Sequence, residues 1–373
     1  MPTWPVRLPD EPAFSLLGCF GERNLGDEAL LAGAITVLRT HWPRARFTVF
    51  SSDPAATARE YGVKSLPGYR LSSARALFAL LRQRRLFAVF GAATRCDCLV
   101  VPGGEMLRTD FGLKALLSMF ERIILARLAG KPVLLLGVGA GALESGFKLN
   151  LMRWALRGMP VLTREEESAA RLETLAVGLP RHAADLALFI EPEPHGIELP
   201  AGDFVAISLR DPARTKSCAR MAISRDEFLT EAAKLADQAV DLGATPVFAP
   251  FCTVDWDDDR AVHSAVRERM RQPGKALEIR RELTAGAMKS LLESADLTIG
   301  MRLHACIFSL SCCRPVLALS YDEKVRKQMA QFGQREMCLP LDSIGEAPAR
   351  LARFWPGRKR WPGKAAVTEQ LAA

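Results

Sequence analysis

Short apolar runs of strand length alternate along this chain with longer stretches whose apolar residues recur at helical spacing. The runs in the first half are AFSLLGCF (13–20), RFTVFSS (46–52), CLVVPGG (98–104), KPVLLLGVGAG (131–141), PVLTRE (160–165) and HAADLALFI (182–190). Segments such as DEALLAGAITVLRTHW separate most of them. Strands joined through helices pair in parallel, with helices covering both sheet faces. At 191 the alternation stops in EPEPHGIELPAGD, a stretch rich in proline and acid that reads as a linker. It then restarts with FVAISLR (204–210), a helical segment at 225–242, TPVFAPF (245–251), ALEIRREL (276–283), DLTIGMR (296–302) and PVLALSY (315–321). This predicts an α/β fold of two Rossmann-like, doubly wound domains facing a cleft, over 1–195 and 196–345. A C-terminal helix and basic tail follow over 346–373.

Composition narrows the function classes. The 373 residues are 49% apolar and 25% charged, an ordinary globular balance. A net charge of +8 favours anionic ligands, but the basic residues are scattered and do not form a nucleic-acid patch. The nine cysteines include no Cys-x-x-Cys pair and have no histidine cluster beside them. That argues against zinc and against a secreted disulfide framework, so no metal is expected and a reducing cytoplasm fits. The N-terminal LPDEP stretch does not read as a signal peptide, and charge interrupts every long apolar run. The tail holds RFWPGRKRW, basic and aromatic together, a candidate for peripheral contact with the inner membrane face.

The polar residues of interest stand at strand ends, where ligands of doubly wound sheets bind. In GCFGERNLGDEALL (18–31), Gly21 and Gly26 allow close backbone approach, and Asp27 opens a helix as a cap or as a catalytic acid. Gly103 and Gly104 form a tight turn after the third run. No Gly-x-Gly-x-x-Gly follows the first strand, so a dinucleotide is not indicated. Arg210 ends ISLRD. In ADLTIGMRLHACIFSL (295–310), Arg302 and His304 flank a helix start whose free N–H groups attract anions. Lys324 lies past the next strand. Two arginines, a lysine and a helix N-terminus suit a small anion bearing carboxylate and phosphate.

These blocks resemble the polysaccharide pyruvyl transferase family, in its cell-wall polymer branch. NLGDEALL (24–31), SSDP (51–54), VPGGEML (101–107), TREEESAARL (163–172), ADLAL (184–188), ISLRD (207–211), GMRLHACIFSL (300–310) and PVLALSYDEKV (315–325) follow the family's order. Glu105 stands where relatives often have a third glycine, and TREEES carries Glu for a common Asp. The resemblance implies a GT-B-like fold and a phosphoenolpyruvate-dependent transferase with no cofactor. The enolpyruvyl unit would pass to two hydroxyls of a sugar in a cell-wall polysaccharide or its lipid-linked precursor, as in S-layer anchoring. Phosphate would leave and a pyruvate ketal would form. Carried over residue by residue, Arg210, Arg302, Leu303 and His304 bind phosphoenolpyruvate. Lys324 joins them, His304 and Asp27 are the catalytic candidates, and Gly26, Gly103 and Gly104 approach substrate. Rival readings are a GT-B glycosyltransferase using a nucleotide sugar and a non-catalytic polysaccharide-binding module.

Overall fold

The computed structural model describes residues 7–68, 86–105, 107–110, 112–144, 146–173, 175, 180–214, 223–361 and 368. Contacts divide the chain into two units: residues up to Glu22 with Asp27–Ile190, and Arg23–Gly26 with the chain from Glu191 onward. The segment Arg23–Gly26 therefore groups with the second unit although it follows the first strand.

The first unit is a parallel sheet of β1 (Ala13–Phe20), β2 (Arg46–Ser51), β3 (Lys64–Pro67), β4 (Cys98–Pro102), β5 (Val133–Val138), β6 (Val161–Thr163) and β7 (Arg181–His182), in the order β3-β2-β1-β4-β5-β6-β7. Its helices are α1 (Leu25–His41), α2 (Pro54–Tyr61), α3 (Leu86–Arg95), α4 (Leu113–Leu128), α5 (Phe147–Leu156) and α6 (Glu166–Glu173). Alternate strand residues serve opposite layers. Cys98 and Val100 pack with Leu31, Ala34 and Leu38 of α1. Leu99 and Val101 pack with Val89 of α3, Phe120 of α4 and Met152 of α5. That double burial explains why these strands read as unbroken apolar runs.

The second unit is a parallel sheet of β8 (Phe204–Ser208), β9 (Thr245–Phe248), β12 (Leu277–Glu278), β13 (Leu297–Gly300), β14 (Val316–Ser320) and β15 (Cys338–Pro340), ordered β12-β9-β8-β13-β14-β15. A small antiparallel hairpin, β10 (Thr253–Val254) with β11 (Asp257–Asp258), follows β9. Helices α7 (Arg225–Asp241), α8 (Asp259–Arg267), α9 (Ala285–Ser294), α10 (Leu303–Ser311), α11 (Glu323–Gln331) and α12 (Ala347–Phe354) complete it. Among the described residues, no helix is long and apolar enough to cross a membrane.

Several expected strands come out differently. HAADLALFI supplies only the two residues of β7, then a 3₁₀ turn over Leu186–Phe189. The Asp185 carboxylate accepts from the Ala187 N–H at 2.9 Å and so favours that turn over a ladder. ALEIRREL pairs over Leu277–Glu278 alone. The tail packs inward: Trp355 is buried, and the Arg358 guanidinium lies 3.7 Å from its ring centroid. Arg358 bonds Asp203, and Lys359 Nζ is 3.1 Å from the same carboxylate. Of the tail's basic side chains, Arg358 is thus held against the second unit, while Arg353 and Lys359 stay exposed. Residues 362–367 and 369–373 lie outside the described chain.

Gly103 has φ +61°, and a Cβ there would sit 2.5 Å from Leu30 Cδ2. Gly103→Ala is expected to cost about 1–3 kcal/mol through left-handed strain and overpacking. Urea denaturation of the full chain checks this; an unchanged midpoint would remove the packing argument.

Candidate functional site

Strand order reverses in the second unit between β8 and β13, the switch point where open α/β sheets bind ligands beyond their strand ends. Ser208 pairs in register with Gly300. Arg210 and Arg302 each lie two residues past that pair, so the register alone brings two guanidinium groups to adjacent strand ends. The Met301 N–H donates to Ser208 O at 2.8 Å, and the Arg210 N–H lies 3.3 Å from Met301 Sδ. Both strand exits are thereby tied together.

The two guanidiniums converge on one carboxylate. Arg210 donates from Nε to Asp257 Oδ1 at 3.2 Å, and its Nη2 lies 2.8 Å from Oδ2. Arg302 Nη2 donates to that same Oδ2 at 3.0 Å. Arg302 also donates to Asp259 from Nε at 3.2 Å and from Nη2 at 2.5 Å. Asp259 is fully enclosed and accepts from the N–H groups of Phe251 and Cys252 at 3.0 and 2.9 Å. Burial opposes charge on Arg302, but Asp259 and Asp257 outweigh it and hold its pKa above the ordinary guanidinium value. Tyr321, at the end of β14, completes the group: Arg210 Nη1 donates to its hydroxyl at 3.3 Å.

The remaining second-unit candidates surround this pair. Arg302 occupies the N-cap position of α10, so Leu303 and His304 form the first turn at the positive end of that helix. Gly26 lies against the His304 ring, and a Cβ at Gly26 would stand 2.3 Å from Nδ1. Arg23–Gly26 is held beside the β9 exit. Leu25 N–H donates to Phe251 O at 2.8 Å, and Thr253 N–H donates to Arg23 O at 3.0 Å. Lys324 is in the first turn of α11, its Nζ 4.0 Å from Asp322 Oδ2. Arg210, Arg302, Leu303, His304 and Gly26 thus belong to one unit; Asp27, Gly103 and Gly104 belong to the other.

The sequence model of the polysaccharide pyruvyl transferase family matches residues 24–323, a span that takes in Gly26, Arg210, Asp257, Asp259, Arg302, Leu303, His304 and Tyr321 and ends one residue before Lys324. The chain belongs to this family. It is 25% identical over 264 residues to the amylovoran biosynthesis protein AmsJ of Erwinia amylovora, a match covering 66% of this chain and 62% of that protein. The chain thus spans about three fifths of that curated relative. Among solved structures, a UDP-N-acetylglucosamine 2-epimerase from Methanocaldococcus jannaschii superposes with TM-score 0.59 at 10% identity, over 95% of this chain and 98% of that one. A glycosyltransferase from Rickettsia africae gives 0.55 at 8%, over 98% and 94%. At such identities the likeness carries the fold alone: two Rossmann-like domains of GT-B-like kind.

In the first unit of this polysaccharide pyruvyl transferase family member, Asp27 is half-buried in the first turn of α1, which Asn24 caps by accepting from the Gly26 N–H at 3.1 Å. Its neighbour Glu28 accepts from the Gly21 N–H at 2.7 Å and from the Tyr61 hydroxyl at 2.9 Å. Burial raises the Glu28 carboxyl above the ordinary carboxylate range. Gly103 and Gly104 both have positive φ, and Glu105 turns to Arg108 at 3.2 Å. A buried network stands past β6: Arg164 Nε donates to Glu165 at 2.7 Å, and the Ser168 hydroxyl donates to Glu165 at 2.5 Å. Ser168 in turn accepts from the Ala140 N–H at 3.0 Å, which fixes the exit of β5.

Sequence reasoning passed over Asp257, Asp259 and Tyr321, and also His263. The DWDDDR run (255–260) was the available signal for the aspartates, since three consecutive acids need counter-charges. His263 lies one turn after Asp259 on α8, fully buried, with Nε2 accepting from the Leu209 N–H at 3.0 Å. It therefore steadies the residue before Arg210, and burial pushes its pKa down to about 3 from 6.5. A depressed folded pKa stabilises above pH 6.5 and is lost as pH falls toward 3, at about 1.4 kcal/mol per unit. His263→Gln keeps an acceptor for Leu209 but removes the titration. The wild type should lose its stability advantage over that variant between about pH 6.5 and 5, by urea denaturation. Parallel pH profiles would overturn the assignment.

Proposed function

We propose that the protein is a phosphoenolpyruvate-dependent pyruvyl transferase. It moves the enolpyruvyl unit onto two hydroxyls of one sugar in a cell-wall polysaccharide or its lipid-linked precursor, on the cytoplasmic side. The observation that carries the reading is the pair Arg210 and Arg302, held on one Asp257 oxygen beside a helix N-terminus at the switch point. Family membership adds the reaction class.

In this mechanism a proton is added to the methylene carbon of the enol, giving a methyl group and a cationic C2. One sugar hydroxyl attacks C2, phosphate leaves, and the second hydroxyl closes the ketal. Of the two hydroxyl protons, one balances that on the methyl carbon and the other departs with phosphate, so no further reactant is needed. With their Nε and Nη2 atoms held by Asp257 and Asp259, Arg210 and Arg302 turn their remaining N–H groups to the donor's carboxylate and phosphate, in directions those carboxylates fix. Lys324 and the first-turn N–H groups of Leu303 and His304 stabilise the leaving phosphate. His304 transfers the proton or bonds the phosphate. Asp27 is the proposed base, and Gly26, Gly103 and Gly104 let the backbone approach substrate. Asp257 and Asp259 fix the two forks, and His263 acts on the Arg210 strand exit only through Leu209.

Incubation with phosphoenolpyruvate and a lipid-linked saccharide tests the reading. Acceptor-dependent phosphate release and a pyruvylated product are expected. Chemistry only with a nucleotide sugar would make it a glycosyltransferase, and binding without turnover a polysaccharide-binding module. His304→Ala should lower kcat by about 10²–10³-fold with the fold retained. Arg302→Lys should raise KM for phosphoenolpyruvate about tenfold. Wild-type turnover in His304→Ala would refute its role.

A further inference from the structure

Among the described residues, every large apolar side chain left exposed, Trp256 excepted, sits on three consecutive helices of the first unit. On α3, Phe87 is 85% exposed and Phe90 is also open to solvent. On α4, Leu113, Leu117 and Leu128 fall on one face at helical spacing. On α5, Phe147 and Trp154 stand two turns apart, 69% and 52% exposed. Helix α4 packs against both α3 and α5, so the three outward stripes are neighbours. The inward stripes, with Val89, Phe120 and Met152, already fill the core. These helices are therefore apolar on two sides, more than covering the sheet requires. Patches of this kind mark a partner or a membrane.

Charge decides between the two. Arg95, Arg153 and Arg157, on or directly after these helices, are exposed. Glu121 is the one acid on the described residues of the three helices, and it pairs with Arg122 at 3.1 Å. A symmetric pairing of two such faces would set arginine against arginine. Anionic lipid headgroups supply the missing counter-charge, and Phe, Trp, Leu and Arg together are the composition of an interfacial surface.

We propose that α3–α5 form a bilayer-docking surface for membranes containing anionic lipid. The apolar side chains enter the boundary between headgroups and acyl chains, and the arginines meet lipid phosphates. Phe87, Leu113 and Phe147 lie in the first turns of their helices and Leu128 and Trp154 in the last, so the docked stripe runs the length of the helical layer. This surface is distinct from the basic tail, whose Arg358 and Lys359 are bound to Asp203.

The test is co-sedimentation of the full chain with phosphatidylcholine vesicles, with and without phosphatidylglycerol. Pelleting with the anionic vesicles is expected. Phe147→Glu with Trp154→Glu should weaken partition about tenfold or more, since each buried aromatic contributes at least that factor. Arg153→Glu with Arg157→Glu, which leaves the apolar stripe intact, should weaken binding and flatten its salt dependence. Three results would overturn the proposal. They are no pelleting of the wild type, binding unchanged in both double variants, or lipid-free self-association that the Phe147/Trp154 variant abolishes.

Discussion

One carboxylate oxygen of Asp257 holds two arginines from neighbouring strands, and the second-unit site is arranged around it. Two guanidiniums at adjacent strand ends repel, and desolvation adds to the cost. Asp257 and Asp259 offset both: two carboxylates against two guanidiniums leave the four groups formally neutral. The cluster therefore presents directed N–H groups without excess formal charge. Asp259 is anchored by two backbone N–H groups, so Arg302 has little freedom. Arg210 is half-buried and shares Asp257 and Tyr321, so it is the more open of the two.

The support beneath these side chains is layered. Register between β8 and β13 sets their spacing, and the bond from Met301 to Ser208 O closes the two exits. His263, neutral because it is buried, fixes Leu209 from behind. The segment Arg23–Gly26 contributes a glycine where His304 leaves no room for a side chain. The first unit solves its strand ends differently, with left-handed glycines after β4 and a buried Arg164–Glu165–Ser168 network after β6. Within that network Glu165 reaches both Arg164 and Ser168.

The sequence by itself determined the two-fold alternation, and with it parallel sheets covered on both faces, because strands buried on both sides must be apolar throughout. It also determined that Arg210, Arg302 and His304 stand at strand and helix ends, since each directly follows an apolar run or opens a helical one. Tertiary structure decided the rest. HAADLALFI gave up most of its strand to an Asp185-capped turn, a local hydrogen bond that periodicity does not reveal. The counter-charges Asp257 and Asp259 lie about forty-five residues from Arg302, on a hairpin and helix whose pairing with it no local pattern encodes. The tail reads as basic, and only the fold pairs its Arg358 with Asp203 and Asp296. Local periodicity fixes which face of an element is apolar. Which charge meets which depends on chain reversals far apart in sequence, and only the folded sheet order specifies them.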